Sequence, residues 1–106
     1  EQPLKRIQKK EKDEIVVIDL HAHELLVTTN GMSNSDILEH QLKVFRDTLA
    51  EYSNRRGQKI VFIHGKGEGV LRRAIINDLS YRYKRYQYQD ASFQEYGYGA
   101  TQVTIR

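Results

Sequence analysis

Two short stretches carry the side chains able to move protons or hold a phosphate. Asp19-Leu20-His21-Ala22-His23 closes one apolar run, and His64-Gly65-Lys66-Gly67-Glu68-Gly69-Val70-Leu71-Arg72-Arg73 follows another. A carboxylate beside an imidazole holds the ring's tautomer and readies it to exchange protons near neutral pH. The second stretch offers different chemistry. Three glycines at alternate positions let the backbone turn tightly and approach a ligand. A helix beginning there presents unpaired N–H groups, the usual ingredients of an anion site. Lys66, Arg72 and Arg73 add positive charge around the turn. A phosphate is the ligand this combination suits.

The candidate catalytic groups are therefore Asp19, His21, His64 and Lys66. Gly65, Lys66, Gly67, Gly69, Arg72 and Arg73 are the candidate phosphate-binding groups. Lys66, Arg72 and the turn amides could stabilise the extra charge of a pentacovalent phosphate. Asp19, His21 and His64 could instead hold a zinc or other divalent ion, a weaker reading because three scattered ligands are little evidence. Each histidine alone could also be a cap or a surface residue. The glycine turn is neither of the two familiar nucleotide loops. It lacks the four-residue spacing and the hydroxyl of a nucleotide-hydrolase loop, and its glycine spacing is wrong for a dinucleotide fingerprint.

For these groups to meet, two strand ends must open at one edge. Glu14 to Leu20 (EIVVIDL) and Lys59 to Ile63 (KIVFI) read as strands, apolar and β-branched. Period-two alternation puts Asp19, His21 and His23 on one face for as long as the first strand continues. Ser33 with Asp36 resembles a capping pair, with Ser35 the competing cap. Leu38, Leu42, Phe45, Leu49 and Tyr52 then recur at helical spacing. Arg55 and Arg56 fall in the last turn of that helix, and Gly57 stops it. Leu71, Ala74, Ile75 and Leu79 mark a second helix over Val70 to Leu79. Tyr86 to Phe93 is expected to be a third strand. After a turn at Gly97 and Gly99, Ala100 to Arg106 forms the last, with Thr101, Val103 and Ile105 on one face. The order β-α-β-α-β-β predicts an α/β two-layer sandwich, a mixed four-stranded sheet with two helices on one face. The right-handed crossover rule makes the first two strands parallel neighbours, so both open at the edge where such folds place ligands.

At 106 residues the chain is long enough for one modest core. Residues 1–13 alternate charges with few apolar anchors and read as a linker or tail, leaving 14–106 as the domain. Glu1 is not a natural start, so a piece of a longer protein is expected. Lys5, Arg6, Lys9 and Lys10 would add weak, salt-sensitive attraction for phosphate. Absence of cysteine removes disulfides and thiolate chemistry. No apolar run has the length of a membrane span or signal segment, which makes a cytoplasmic location the expectation. The net charge of +3 says little about nucleic acid by itself. Its distribution says more. Tyr81, Tyr83, Tyr86 and Tyr88 are interleaved with Arg82, Lys84 and Arg85, a pattern that suits either packing or stacking on bases.

With both motifs in hand, the chain resembles the Smr (small MutS-related) domain family. The resemblance rests on Ile18-Asp19-Leu20-His21, on His64-Gly65-Lys66-Gly67 with Gly69, Leu71 and Arg72, and on the closing Gly97-Tyr98-Gly99-Ala100-Thr101-Gln102-Val103. It spans roughly residues 15–106 in the right order. It implies a fold similar to the C-terminal domain of bacterial translation initiation factor three. It also implies binding of DNA or RNA and, by the record of several members, nicking endonuclease or endoribonuclease activity. On that likeness Asp19 and His21 match positions implicated in cleavage, and His64 to Gly67 match positions implicated in cleavage or binding. Two departures stand out: Ala22-His23 replaces the glycine that usually follows the first motif, and the connection to the first long helix is longer. Binding without cleavage and a protein-interaction role are the alternatives.

Overall fold

A computed structural model describes residues 14–97 and 99–106. The charged segment 1–13, with its expected linker role and its Lys5, Arg6, Lys9 and Lys10 group, lies outside the described residues, as does Tyr98. The elements are β1 (Ile15–Asp19), α1 (Ala22–Leu25), α2 (Asn34–Glu51), β2 (Lys59–Ile63), α3 (Val70–Tyr81), β3 (Gln87–Asp90), α4 (Phe93–Tyr96) and β4 (Ala100–Thr104). They build a mixed sheet in the order β1-β2-β4-β3. β1 and β2 are parallel, with Asp19 opposite Ile63, as the crossover rule requires. β4 runs antiparallel to both β2 and β3.

Alternation along the central strands decides where the core lies. Ile60 and Phe62 of β2, with Val103 and Ile105 at the C-terminal end, are fully buried under Leu42, Phe45 and Leu49 of α2 and Leu71, Ile75 and Leu79 of α3. Phe45 meets Phe62 edge to face at 4.7 Å, a pairing worth about 1 kcal/mol beyond its burial. α2 starts where its cap dictates: the Ser33 hydroxyl accepts from the Asp36 amide, and the Asp36 carboxylate accepts from the Ser33 amide. The two long helices are tied by a bidentate pair in which Arg46 Nε and Nη2 donate to Asp78, at 2.6 and 3.1 Å. That bond, more than charge attraction, raises the Arg46 pKa further. Among the described residues no helix is long and apolar enough to cross a membrane.

Several boundaries differ from the expectation. α2 stops at Glu51, so Arg55 and Arg56 lie in the following turn and not in its last turn. The third strand keeps only Gln87–Asp90, because Phe93 opens the short helix α4. The opposite face of the sheet is not bare either: Val61, Ala91 and Ala100 form a small buried cluster with Ile15, Ile63 and Tyr96 packed against it.

Candidate functional site

The parallel pairing of β1 and β2 brings both motifs to one edge, and the ladder runs one step past the strands through the Leu20 amide to the Ile63 carbonyl. Leu20 is buried and anchors the chain there, while the amide of Gln41 on α2 donates to its carbonyl at 2.9 Å. The next residue, His21, is thereby held at the rim.

Asp19 and His21 form a compact unit. One carboxylate oxygen accepts from the His21 backbone amide at 2.9 Å and from its Nδ1 at 2.8 Å. A carboxylate can only accept, so Nδ1 carries the proton and the neutral ring keeps its lone pair on Nε2. Both side chains remain in contact with solvent, 42% exposed for His21 and 37% for Asp19. Nε2 points at the notch left by Gly65, where a methyl group would stand only 2.7 Å away. His23 does not share the face expected of it. The strand ends at Asp19, and His23 instead lies on α1, its ring stacked on that of His21 at 5.4 Å.

His64 is placed quite differently. Alternation turns it to the helix-covered face, where it is 8% exposed. Its Nδ1 donates to the Gly65 carbonyl at 3.1 Å, and its Nε2 accepts from the Thr101 hydroxyl at 2.9 Å. Burial lowers its pKa, opposed in part by the bond to Gly65. The two imidazoles expected to converge on one phosphate are thus turned to different partners, and this geometry leaves His64 no nitrogen to protonate a leaving oxygen. The three-ligand metal alternative does not form either: among the described residues no group of three His, Asp or Glu side chains comes together.

The glycine turn is built as a cradle. Gly65, Gly67 and Gly69 all have positive φ, of 81°, 35° and 81°, and Gly69 is the N-cap of α3. The first turn of α3 contains no acidic residue, and its opening amides face the turn. Lys66 is exposed at the crest. Arg73 folds back to donate to the Glu68 carbonyl at 3.0 Å, bracing the loop. Arg72 reaches Asp90 at 3.3 Å, so part of its charge is already answered. Beside the turn, a groove of about 290 Å³ separates it from Asn34, Leu38 and Gln41 of α2.

Gly99 and Thr101 are the residues that sequence reasoning did not place in the site. The Gly99 carbonyl accepts from the amides of both His64 and Gly65, at 2.8 and 3.0 Å. The backbones approach so closely that a methyl group on Gly99 would lie 2.4 Å from the Gly65 carbonyl carbon. Thr101 offered a signal: a hydroxyl on the same face as Val103 and Ile105 must find a buried partner.

Comparison with known proteins agrees with this arrangement. The sequence model of the Smr domain matches residues 31–106, which contain the whole glycine turn and its Gly99–Thr101 support. The chain belongs to the Smr domain family. The family is known for nucleic-acid binding. Its match begins after Asp19 and His21, so that dyad rests on geometry and on the structural likeness. The crystal structure of the Smr domain of Thermus thermophilus MutS2 is similar at 27% identity and a TM-score of 0.59, covering 88% of this chain and 98% of that one. No curated protein matches the chain. The longer connection that sets this Smr domain apart is filled by α1, whose Leu25 packs on the core and whose start is the backbone of His21.

Proposed function

We propose that this Smr domain binds DNA or RNA through its glycine turn and cuts the phosphodiester backbone at the Asp19–His21 dyad. The observation that carries the reading is the 2.8 Å bond that fixes His21 with Nε2 unprotonated and aimed at the Gly65 notch. In the step we envisage, Nε2 takes the proton from an attacking water or 2′-hydroxyl as the new P–O bond forms. The bond to the leaving oxygen breaks, and that oxygen takes a proton from solvent. Lys66 and the amides of the turn and of α3 stabilise the charge that builds on the phosphoryl oxygens. His64 supports the turn in this scheme and transfers no proton. The family match supports nucleic acid as the ligand, and the arrangement at the strand ends supports the chemistry.

The test is a cutting assay on supercoiled DNA and on RNA, with and without EDTA, run beside a binding assay. Wild type should cut, and His21→Ala and Asp19→Asn should lose cutting while keeping most of their affinity. A second reading, binding without cleavage, is favoured by the internal bonding of His64, which removes one of the two proton carriers. Equal inertness of wild type and both variants, with binding intact, would establish that reading instead.

A further inference from the structure

The tyrosine-rich basic stretch is not absorbed by the strand-end site, and its position in the fold sets it apart. Lys59, Thr104 and Gln87 lie in register at the sheet edge opposite His64. Beyond them, the turn after α2, the segment after α3 and the C-terminal residue border a groove of about 760 Å³. Arg56, Arg82, Lys84, Arg85 and Arg106 line it, and no carboxylate does. Arg82 is partly answered by Asp78 at 3.6 Å, and Arg106 donates to the Gln87 side-chain oxygen. Among the described residues Arg56, Lys84 and Arg85 make no ion pair. Half of the aromatic pattern is packing: Tyr83 stacks on Tyr86 at 5.6 Å and meets Phe45 edge to face. Tyr81 is not, being 72% exposed at the groove's rim.

We propose that this basic pole is a second contact for the phosphate backbone of a nucleic acid. The proposal rests on the reading that the glycine turn binds nucleic acid, and it adds a second point of attachment. α2 and α3 both end at this pole, so their terminal carbonyls attract some of the cations. Three cations without partners around a carboxylate-free groove exceed that need and match a polyanion. The spacing also fits. The 12 residues of α3 separate glycine turn from pole by about 18 Å. That length is about five base pairs of duplex at ~3.4 Å each. One strand of nucleic acid can therefore engage both ends of the molecule.

The experiment titrates the protein into a fluorescein-labelled DNA duplex of about 20 base pairs, several times that span, over a series of salt concentrations. A single-stranded RNA of the same sequence forms a second arm. Lys84→Ala/Arg85→Ala is compared with Lys66→Ala and with the charge-keeping Lys84→Arg/Arg85→Lys. Both positions are exposed, and thermal melts check that each variant is folded. The expected result is a several-fold loss of affinity and a log–log salt slope shallower by about 2 for the double-alanine variant on at least one probe. The charge-keeping variant should retain both. Wild-type affinity and slope in the double-alanine variant, with Lys66→Ala weakened, would overturn the second contact and leave the strand-end reading standing. No binding of either probe by wild type would overturn both. Displacement of the labelled duplex by polyglutamate as readily as by unlabelled duplex would assign the pole to an acidic protein and overturn the proposal.

Discussion

The ends of β1 and β2 sit side by side in one parallel ladder, each followed by a histidine, yet they hold those histidines to opposite purposes. After β1, His21 continues the face of Asp19, stays half open to solvent and bonds through one nitrogen, leaving the other at the Gly65 notch. After β2, His64 continues the face of Ile60 and Phe62, is buried, and has both nitrogens bonded inside the protein. Strand alternation alone separates the two. Residue type and proximity to an edge do not make a proton carrier; an unspent nitrogen does. The buried histidine, with Gly99 and Thr101, instead sets the shape of the loop on which the exposed one acts.

The largest effect is expected where the two ends lean on each other. A methyl group at Gly99 would meet Gly65 backbone at 2.4 Å, with no flexible side chain to move aside. Gly99 also accepts the His64 and Gly65 amides. Gly99→Ala should therefore cost about 3 kcal/mol or more and lose nucleic-acid binding, read by urea denaturation and by titration. A variant of near wild-type stability would mean that the two ends are independent, and the comparison would fail.

Next in size is the exchange between stability and chemistry at the two histidines. His64→Ala opens a cavity and strands the Thr101 hydroxyl and Gly65 carbonyl, at a cost of about 2–3 kcal/mol. Thr101→Val, which removes only the hydroxyl, should cost about 1 kcal/mol and shift binding little. His21→Ala should stay within about 1 kcal/mol of wild type, because its ring is half exposed. Denaturation curves for the three, set beside the cutting assay, sharpen the contrast. A His21→Ala more unstable than His64→Ala would invert it.

Much of this was legible beforehand. The continuous apolar runs around Ile18 and Phe62 gave the parallel pair and its edge. The Ser33–Asp36 box and the Leu42, Phe45, Leu49 spacing gave the long helix. What stayed hidden has a physical reason in each case. α1 and α4 have four residues each, too few to show a period. The end of α2 was misplaced because Gly57 is a strong stop signal, whereas Tyr52 already leaves the helix with φ of −101° and ψ of 10°. The orientation of His64 was readable, since alternation from Ile60 and Phe62 carries it inward just as alternation carries His21 outward. Its partner Thr101 lies 37 residues away on β4, and no local pattern joins them.

The smallest expected effect tests whether His64 is held neutral. Burial lowers its pKa below the ordinary 6.5, so an unfolded chain takes up a proton before the folded one does. The stability that His64 contributes is then complete above pH 6.5 and is lost as the pH falls towards the lowered folded value. Other groups titrate in the same range, so the quantity to measure is the difference between wild type and His64→Gln, whose amide cannot take that proton. Thermal midpoints on either side of pH 6.5 should fall more steeply for wild type, and the two curves should draw together on the acid side. Parallel curves would mean that His64 titrates alike in both states. His64 would then be as open to protons as His21, and the division of labour between the two strand ends would be gone.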